Sequence, residues 1–312
     1  MENLKISFEV VAPLIIIMSI GNLMRITGLF TQEVIKKLNA VVFKTFLPVL
    51  IFYNVYTSDL KDVTYIKPAI FSAGVLAAAF VITMLLVPVF EKDNKKRGVM
   101  VQGMCRSNFV IYGIPLSTSL CGEGVLGTVS IAVAIVIPVI NILSVISLEV
   151  FRGKRISVSR ILKSVIKNPL LIGSVLGIAA LLSGISFPMF IEKTMGDMAG
   201  AATPIALMLL GGSIDFAAVK NSGTQLFATL FVKLVALPAA GFILSAAAGF
   251  SKTDIAIFTA VFASPTAVSS YTMAQQMDGD DALAAQIVAL GTAASIFTVF
   301  VWVFILKQIG LA

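Results

Sequence analysis

Histidine is absent from the 312 residues. That removes Ser-His triads, histidine-ligated metal centres and histidine proton relays. Cysteine is nearly absent too: only Cys105 and Cys121 occur, too few for a disulfide framework or a thiolate cluster. Both fall in one hydrophobic segment. A helix across that interval would hold them ~24 Å apart, out of disulfide reach, so they read as packing residues and carry no message about redox compartment. Charge is scarce, at 12% of residues against about a quarter in a soluble domain. Long polar stretches are missing. The longest, Arg152 to Lys167, has the length of a loop or an amphipathic connector, which leaves no room for a soluble domain, and 1–312 reads as a single membrane domain. No ATP-binding motif occurs, and no basic run is interleaved with aromatics. The net charge of +7 is therefore not read as a nucleic-acid footprint. A membrane-embedded aspartyl enzyme would need two facing Asp residues inside the bilayer, and only Asp197 sits convincingly within a span, so no enzyme is expected.

What the chain has is apolar length. Hydrophobic residues make up 58% of it, and the mean hydropathy is +1.00. Runs such as 66–90 and 125–150 suffice to cross ~30 Å of hydrocarbon. About ten helices fit, at 8–25, 38–56, 66–90, 98–120, 125–150, 169–185, 195–214, 226–250, 254–277 and 282–306. The opening MENLKISFEVVAPLIIIMSIG lacks a strongly basic start and an A-x-A site, so it reads as a retained first helix. Basic residues crowd the loops after odd-numbered helices, as in Lys92, Lys95, Lys96 and Arg97, or Arg152 through Lys167, while the opposite side carries few. The richer side is expected in the cytoplasm and both termini outside a plasma (inner) membrane.

Proline spacing points to duplication. Pro13 and Pro48 are 35 residues apart, as are Pro169 and Pro204; Asp59 follows Pro48 by 11, and Asp215 follows Pro204 by 11. Pro115, within Gly113-Ile114-Pro115, comes 67 after Pro48; Pro265, within Ser264-Pro265-Thr266, comes 61 after Pro204. Prolines are frequent in membrane helices, and some spacings would match by chance. Two equal spacings with a matched proline break favour two copies, about 8–150 and about 169–306. Five helices per copy forces the second copy to be inverted, a plan many secondary transporters share.

A mid-helix proline removes a hydrogen bond and clashes with the preceding turn. Helices 4 and 9 carry Pro115 and Pro265 near their middles, and the expectation is that both are broken and cross near the midplane. Half-helices starting at Leu116 and Thr266 would then aim free N–H groups and positive dipole ends at the crossing, an anion site. The alternative is a pair of simple kinks. Polar residues crowd both positions: Arg106, Asn108, Ser117, Thr118 and Ser119 around the first; Ser264, Thr266, Ser269, Ser270, Thr272, Gln275 and Gln276 around the second. Such groups face a cavity at less cost than lipid, although any one hydroxyl could bond its own helix. Charges inside spans are few: Lys44, Arg106, Glu149, Asp197 and Lys233. The lysines can either snorkel to an interface or serve a site. Arg106 is the best partner for a carboxylate, because its fork binds two oxygens. Asp197 is the best candidate for proton coupling, with Lys44 and Gln276 as further coupling candidates.

The stretch SNFVIYGIPL resembles the helix 4 crossover of the auxin efflux carrier family, where plant PIN-type carriers have an Asn, a few apolar residues and Gly-Ile-Pro-Leu. SPTAVSSYTMAQQMDGDDALAAQIVALGT is similar to the last two helices of bacterial members, and FKTFLPVLIFYNVYTSDL also fits. The similarity spans essentially the whole chain. It implies a ten-helix fold related to bile-acid sodium symporters, with interleaved scaffold and crossover transport domains, elevator-like alternating access and often a homodimer. It implies carboxylate substrates: auxin in plants, malate, malonate or similar acids in bacteria. By position Asn108 matches the crossover asparagine that faces substrate, and Pro115 and Pro265 the crossover prolines. Arg106 departs from the plant pattern. Gln275 and Gln276 stand where bile-acid relatives use acidic residues for sodium, which leaves coupling to H+ or Na+ open. The expected function is secondary transport of a small organic anion, substrate contacting Arg106, Asn108, Gly113, Pro115, Ser117, Ser264, Pro265, Thr266, Ser269 and Gln275. A transporter-like sensor or a channel are the alternatives. No cofactor is expected.

Overall fold

A computed structural model describes residues 2–58, 66–113, 117, 126–152, 158–214 and 223–309. Pro115, Thr118, Ser119, Asp59, Asp215 and Cys121 lie outside the described residues. Everything described is helical or a short connection. The helices are α1 (Glu2–Ile26), α2 (Gln32–Val41), α3 (Leu47–Tyr56), α4 (Ile66–Phe90), α5 (Asn94–Cys105), α6 (Leu126–Phe151), α7 (Val158–Lys167), α8 (Pro169–Ser183), α9 (Met189–Ser213), α10 (Gly223–Phe231), α11 (Leu237–Ala247), α12 (Lys252–Phe258), α13 (Ser269–Gln276) and α14 (Asp281–Gln308). π-helical turns at Val42–Phe46 and Val232–Ala236 fuse α2 to α3 and α10 to α11, and a third, Thr259–Ala263, extends α12.

The starts of the helices follow from local chemistry. Thr31, Asp93, Asn168 and Asp280 each accept a hydrogen bond from an N–H of the first turn they precede, satisfying donors that have no partner inside a helix. Asn168 is followed by Pro169, whose ring favours the first helical position. Gly184 closes α8 at φ 65°, a left-handed conformation that glycine adopts without a Cβ penalty.

Six stretches among the described residues are long and apolar enough to cross a membrane, and a seventh if α7 and α8, bent by 59°, form one span. The protein is thus a multi-pass membrane protein. The sequence predicts ten. The difference arises where helices are interrupted or charged: α5 and α12 end at breaks, and α9 carries Glu192, Lys193 and Asp197 in its first half. The fourth helix also has a break ahead of its Gly113-Ile114-Pro115 motif, of which Ile114 and Pro115 lie outside the described residues. Helix ends at Cys105, residues 106–108 are non-helical, and helix resumes at 109–113, while Leu116, the expected start of a half-helix, lies outside the described residues. The ninth breaks around Pro265 as the sequence implies, with helix resuming at Ser269 rather than at Thr266.

Packing is pairwise. α1 lies along α9 and α3 along α8, while α9 also crosses α3; α4 packs on α5, α6 and α12, and α10 on α5 and α14. The α1–α9 contact is backbone to backbone. A Cβ added at Gly21 would fall 1.9 Å from the Met208 carbonyl oxygen, and one added at Gly211 would fall 1.9 Å from that of Met18. Without a hydrophobic drive between helices in lipid, such small-residue approach carries the association.

One end of α4 is tied by Glu91, which accepts hydrogen bonds from the Asp93 N–H at 2.7 Å and the Gln225 side-chain amide at 2.7 Å. Burial pushes its carboxyl upward, but these donors and nearby Lys96 outweigh burial and hold it below the usual carboxylate range. A depressed folded-state pKa contributes stability that is present above the unfolded value of about 4.3 and is lost as pH falls through the folded value. Thermal stability in detergent should therefore fall below about pH 4.3, with a shallower acid slope in Glu91→Gln. Identical slopes in the two proteins would remove this role.

Candidate functional site

The two breaks face each other. Ser107 and Thr266 form an isolated antiparallel bridge. The Asn108 N–H donates to the Pro265 carbonyl at 2.8 Å, and Thr266 Oγ1 donates to the Gly103 carbonyl at 2.8 Å. Backbone groups released from the helical ladder are thus taken up by the opposite strand, the condition for non-helical backbone at membrane depth. Pro265 fits because it has no N–H to satisfy. Ser264, fully buried, donates to the Ala260 carbonyl of its own turn. Gly113 is a close-approach position, since a Cβ there would lie 2.8 Å from the Ala260 Cβ.

Beside this junction is a cavity of ≈ 90 Å³. Its walls are Leu47, Leu50, Ile51 and Asn54 of α3, residues 106–111, Ile137, Ile140 and Asn141 of α6, Thr203 and Ala206 of α9, and residues 267–269. Arg106 dominates its electrostatics. The residue is only 3% exposed, and its Nη2 donates to Asn141 Oδ1 at 2.8 Å and Ser269 Oγ at 2.9 Å, while Nη1 abuts the Met273 sulfur. No carboxylate among the described residues pairs with it. Because the guanidinium can only donate, Asn141 must present its oxygen to Arg106 and turn its amide nitrogen elsewhere. That nitrogen, and Asn108 Nδ2, are buried without an acceptor among the described residues. A buried cation and two orphaned donors are costly alone, about 1–3 kcal/mol for each unmet neutral donor. Acceptor oxygens on an anion are the chemical complement of such a donor set.

Behind the junction stands a second buried basic side chain. Lys233, 0% exposed on the π turn between α10 and α11, donates to Ser107 Oγ. It does not line the cavity.

Of the residues singled out from the sequence, Arg106, Asn108 and Ser269 come together on the cavity wall. Ser264, Pro265, Thr266 and Gly113 build the junction. Ser117 is buried but is not part of the wall. Gln275 belongs to another network: its amide accepts from Asn39 Nδ2 at 2.7 Å and donates to Tyr271 and to Asp281. Gln276 ends α13, and Asp197 and Lys44 are exposed on α9 and on the first π turn; none of these lines the cavity. Asn54, Asn141 and Thr203 also line the cavity, and no motif in the sequence marks them. The available signal was a lone amide in an otherwise apolar stretch, as for Asn141 in IAVAIVIPVINILSVISL.

A profile of a family described as membrane transport proteins, the family of the auxin efflux carriers, matches residues 6–160 and 153–303. An uncharacterized transporter of Methanocaldococcus jannaschii is 25% identical, the alignment covering 96% of this chain and 99% of that one. An uncharacterized transporter of Methanothermobacter thermautotrophicus is 23% identical over 95% of this chain and 97% of its own. With its profile matched along nearly the whole length, and buried donors gathered at facing breaks between membrane helices, this chain belongs to the membrane transport protein family that includes the auxin efflux carriers.

Proposed function

We propose that the protein is a secondary active transporter of small organic anions, carboxylates above all, working by elevator-like alternating access in the plasma membrane. The observation that carries this reading is the donor set beside the cavity: among the described residues Arg106 has no carboxylate partner, and the amide nitrogens of Asn108 and Asn141 have no acceptor. A carboxylate supplies two acceptor oxygens and a negative charge together. No catalytic role is assigned to any residue.

The architecture is read as ten spans in two inverted copies, α5 with the residues after it forming the fourth span and α12–α13 the ninth. Reciprocal packing supports this. The first span lies on the seventh and the second on the sixth; the third packs on the ninth and the eighth on the fourth; the third packs on the fifth and the eighth on the tenth. An internal two-fold exchanges each pair with its counterpart. Spans 1, 2, 6 and 7 form the scaffold in this reading and the remaining six the transport unit, with the cavity on their boundary. Both termini face outward, the coupling ion is H+ or Na+, and the unit is a homodimer.

The test is flux into proteoliposomes of malate, malonate, lactate, indole-3-acetate and taurocholate, without a gradient and with a proton or sodium gradient. Saturable uptake of at least one acid, with exchange against substrate on the far side, is expected. A folded protein that moves none of them would overturn the carboxylate reading, and non-saturating flux without exchange would indicate a channel. Within the site, Asn108→Ala should weaken affinity for the transported acid about tenfold or more, since hydrogen bonds to charged groups contribute about 1.5–3 kcal/mol. Unchanged affinity in a well-folded variant would remove Asn108 from the site.

A further inference from the structure

The connector α7, VSRILKSVIK, has an apolar arc wider than the protein covers. At 100° per residue Ile161, Val165, Val158, Leu162 and Ile166 follow one another around one side of the helix, and the other side holds only serines and cations. Ile161 and Val165 are half-buried, and Val165 packs against the core. The other three stay bare, with Val158 70%, Leu162 56% and Ile166 72% exposed. Next to that row Lys163 and Lys167 are exposed. The helix turns 59° away from α8, because the residue before a proline avoids helical geometry and Asn168 caps the next helix with ψ 123°. α7 therefore cannot continue the apolar α8 through the hydrocarbon, where its cations would be costly. A bare apolar row is equally out of place in water.

We propose that α7 is an interfacial helix that seats Val158, Leu162 and Ile166 in the anionic leaflet of the membrane, with Lys163 and Lys167 on lipid phosphates. The interface is where both halves of the helix are satisfied. Charge decides the partner. α7 carries no acid, and the sequence just before it adds Lys154 and Arg155, so a second copy of this face would set lysine against lysine. Basic residues beside a membrane are drawn to anionic headgroups. This seat lies in the connection between α6 and α8 and does not depend on the transported substrate.

The test uses the full chain in vesicles, with Leu162→Trp as reporter and Trp302→Phe removing the single native tryptophan. Vesicles of phosphatidylcholine, alone or with phosphatidylglycerol, carry brominated acyl chains. The reporter should emit as in an apolar environment and be quenched by brominated lipid. Quenching should be at least twofold stronger in anionic vesicles, and the double variant Lys163→Glu, Lys167→Glu should abolish that difference. Amide exchange in the unaltered protein should show 158–167 more protected in anionic than in neutral vesicles. Water-like, unquenched emission in both lipids would overturn the proposal. So would equal quenching in both, or protection that rises with protein-to-lipid ratio and is the same in anionic and neutral vesicles, the signature of a second copy.

Discussion

Replacing Arg106 by Met should move affinity and stability in opposite directions. Binding of the transported acid should weaken at least about thirtyfold, because losing one partner of a buried hydrogen-bonded charge pair costs 2 kcal/mol or more. The substrate-free protein should melt at a higher temperature than the parent. Arg106 is 3% exposed and faces Asn141, Ser269 and the Met273 sulfur, with no carboxylate among the described residues. Neutral partners recover only part of the desolvation penalty of a buried cation. An apolar side chain of similar length removes that penalty and keeps most of the volume. Arg106→Lys should fall between, since an ammonium cannot bridge Asn141, Ser269 and a ligand as a planar fork does. Thermal unfolding with and without substrate, alongside uptake, separates the outcomes. If Arg106→Met destabilises the empty protein and leaves affinity intact, the residue is a brace between α6 and α13 and not a ligand contact.

Gly211→Val and Gly21→Val should each cost several kcal/mol, at or beyond the upper end of the 1–3 kcal/mol usual for overpacking. The added Cβ would lie 1.9 Å from a main-chain carbonyl oxygen of the facing helix. No rotamer change relieves that, so α1 and α9 must separate along their contact. Gly200, on the same α9, has nothing within 4 Å of an added Cβ, and Gly200→Ala should be neutral or stabilising by about 0.5–1 kcal/mol. Monodispersity and melting temperature in detergent are the readouts. A Gly211→Val protein as stable as Gly200→Ala would mean that α1 and α9 are not held by close backbone approach.

The extent to which the site is legible in the sequence differs residue by residue. Arg106 and Asn108 stand out because a cation and an amide in an apolar run are costly unless they face a cavity. Pro265 locates the second break because proline cannot join the ladder. The break at 106–108, ahead of the Gly113-Ile114-Pro115 motif, has a tertiary reason: the Asn108 N–H bonds to Pro265, 157 residues on, and Ser107 bridges to Thr266. Within its own segment nothing marks 106–108 as non-helical. Asn141 escapes notice for the same reason, since its value lies in holding Arg106 across a gap of 35 positions. Gln275 has the polarity expected of a wall residue, yet Asn39 and Asp281 claim it elsewhere.

What the sequence by itself determined is the class of solvent and the supply of parts. Hydropathy sums over windows of about twenty residues, so membrane spans, their caps and the rarity of intramembrane polar groups can be read without knowing any long-range contact. The tertiary structure alone decided which of those polar groups converge and which are taken up by neighbours. It left Arg106, Asn108 and Asn141 as donors around one cavity and sent Gln275 to another network. Convergence depends on distances between helices far apart in the chain, and those are set by packing such as the approach of Gly21 to Met208, for which a local window carries no signal.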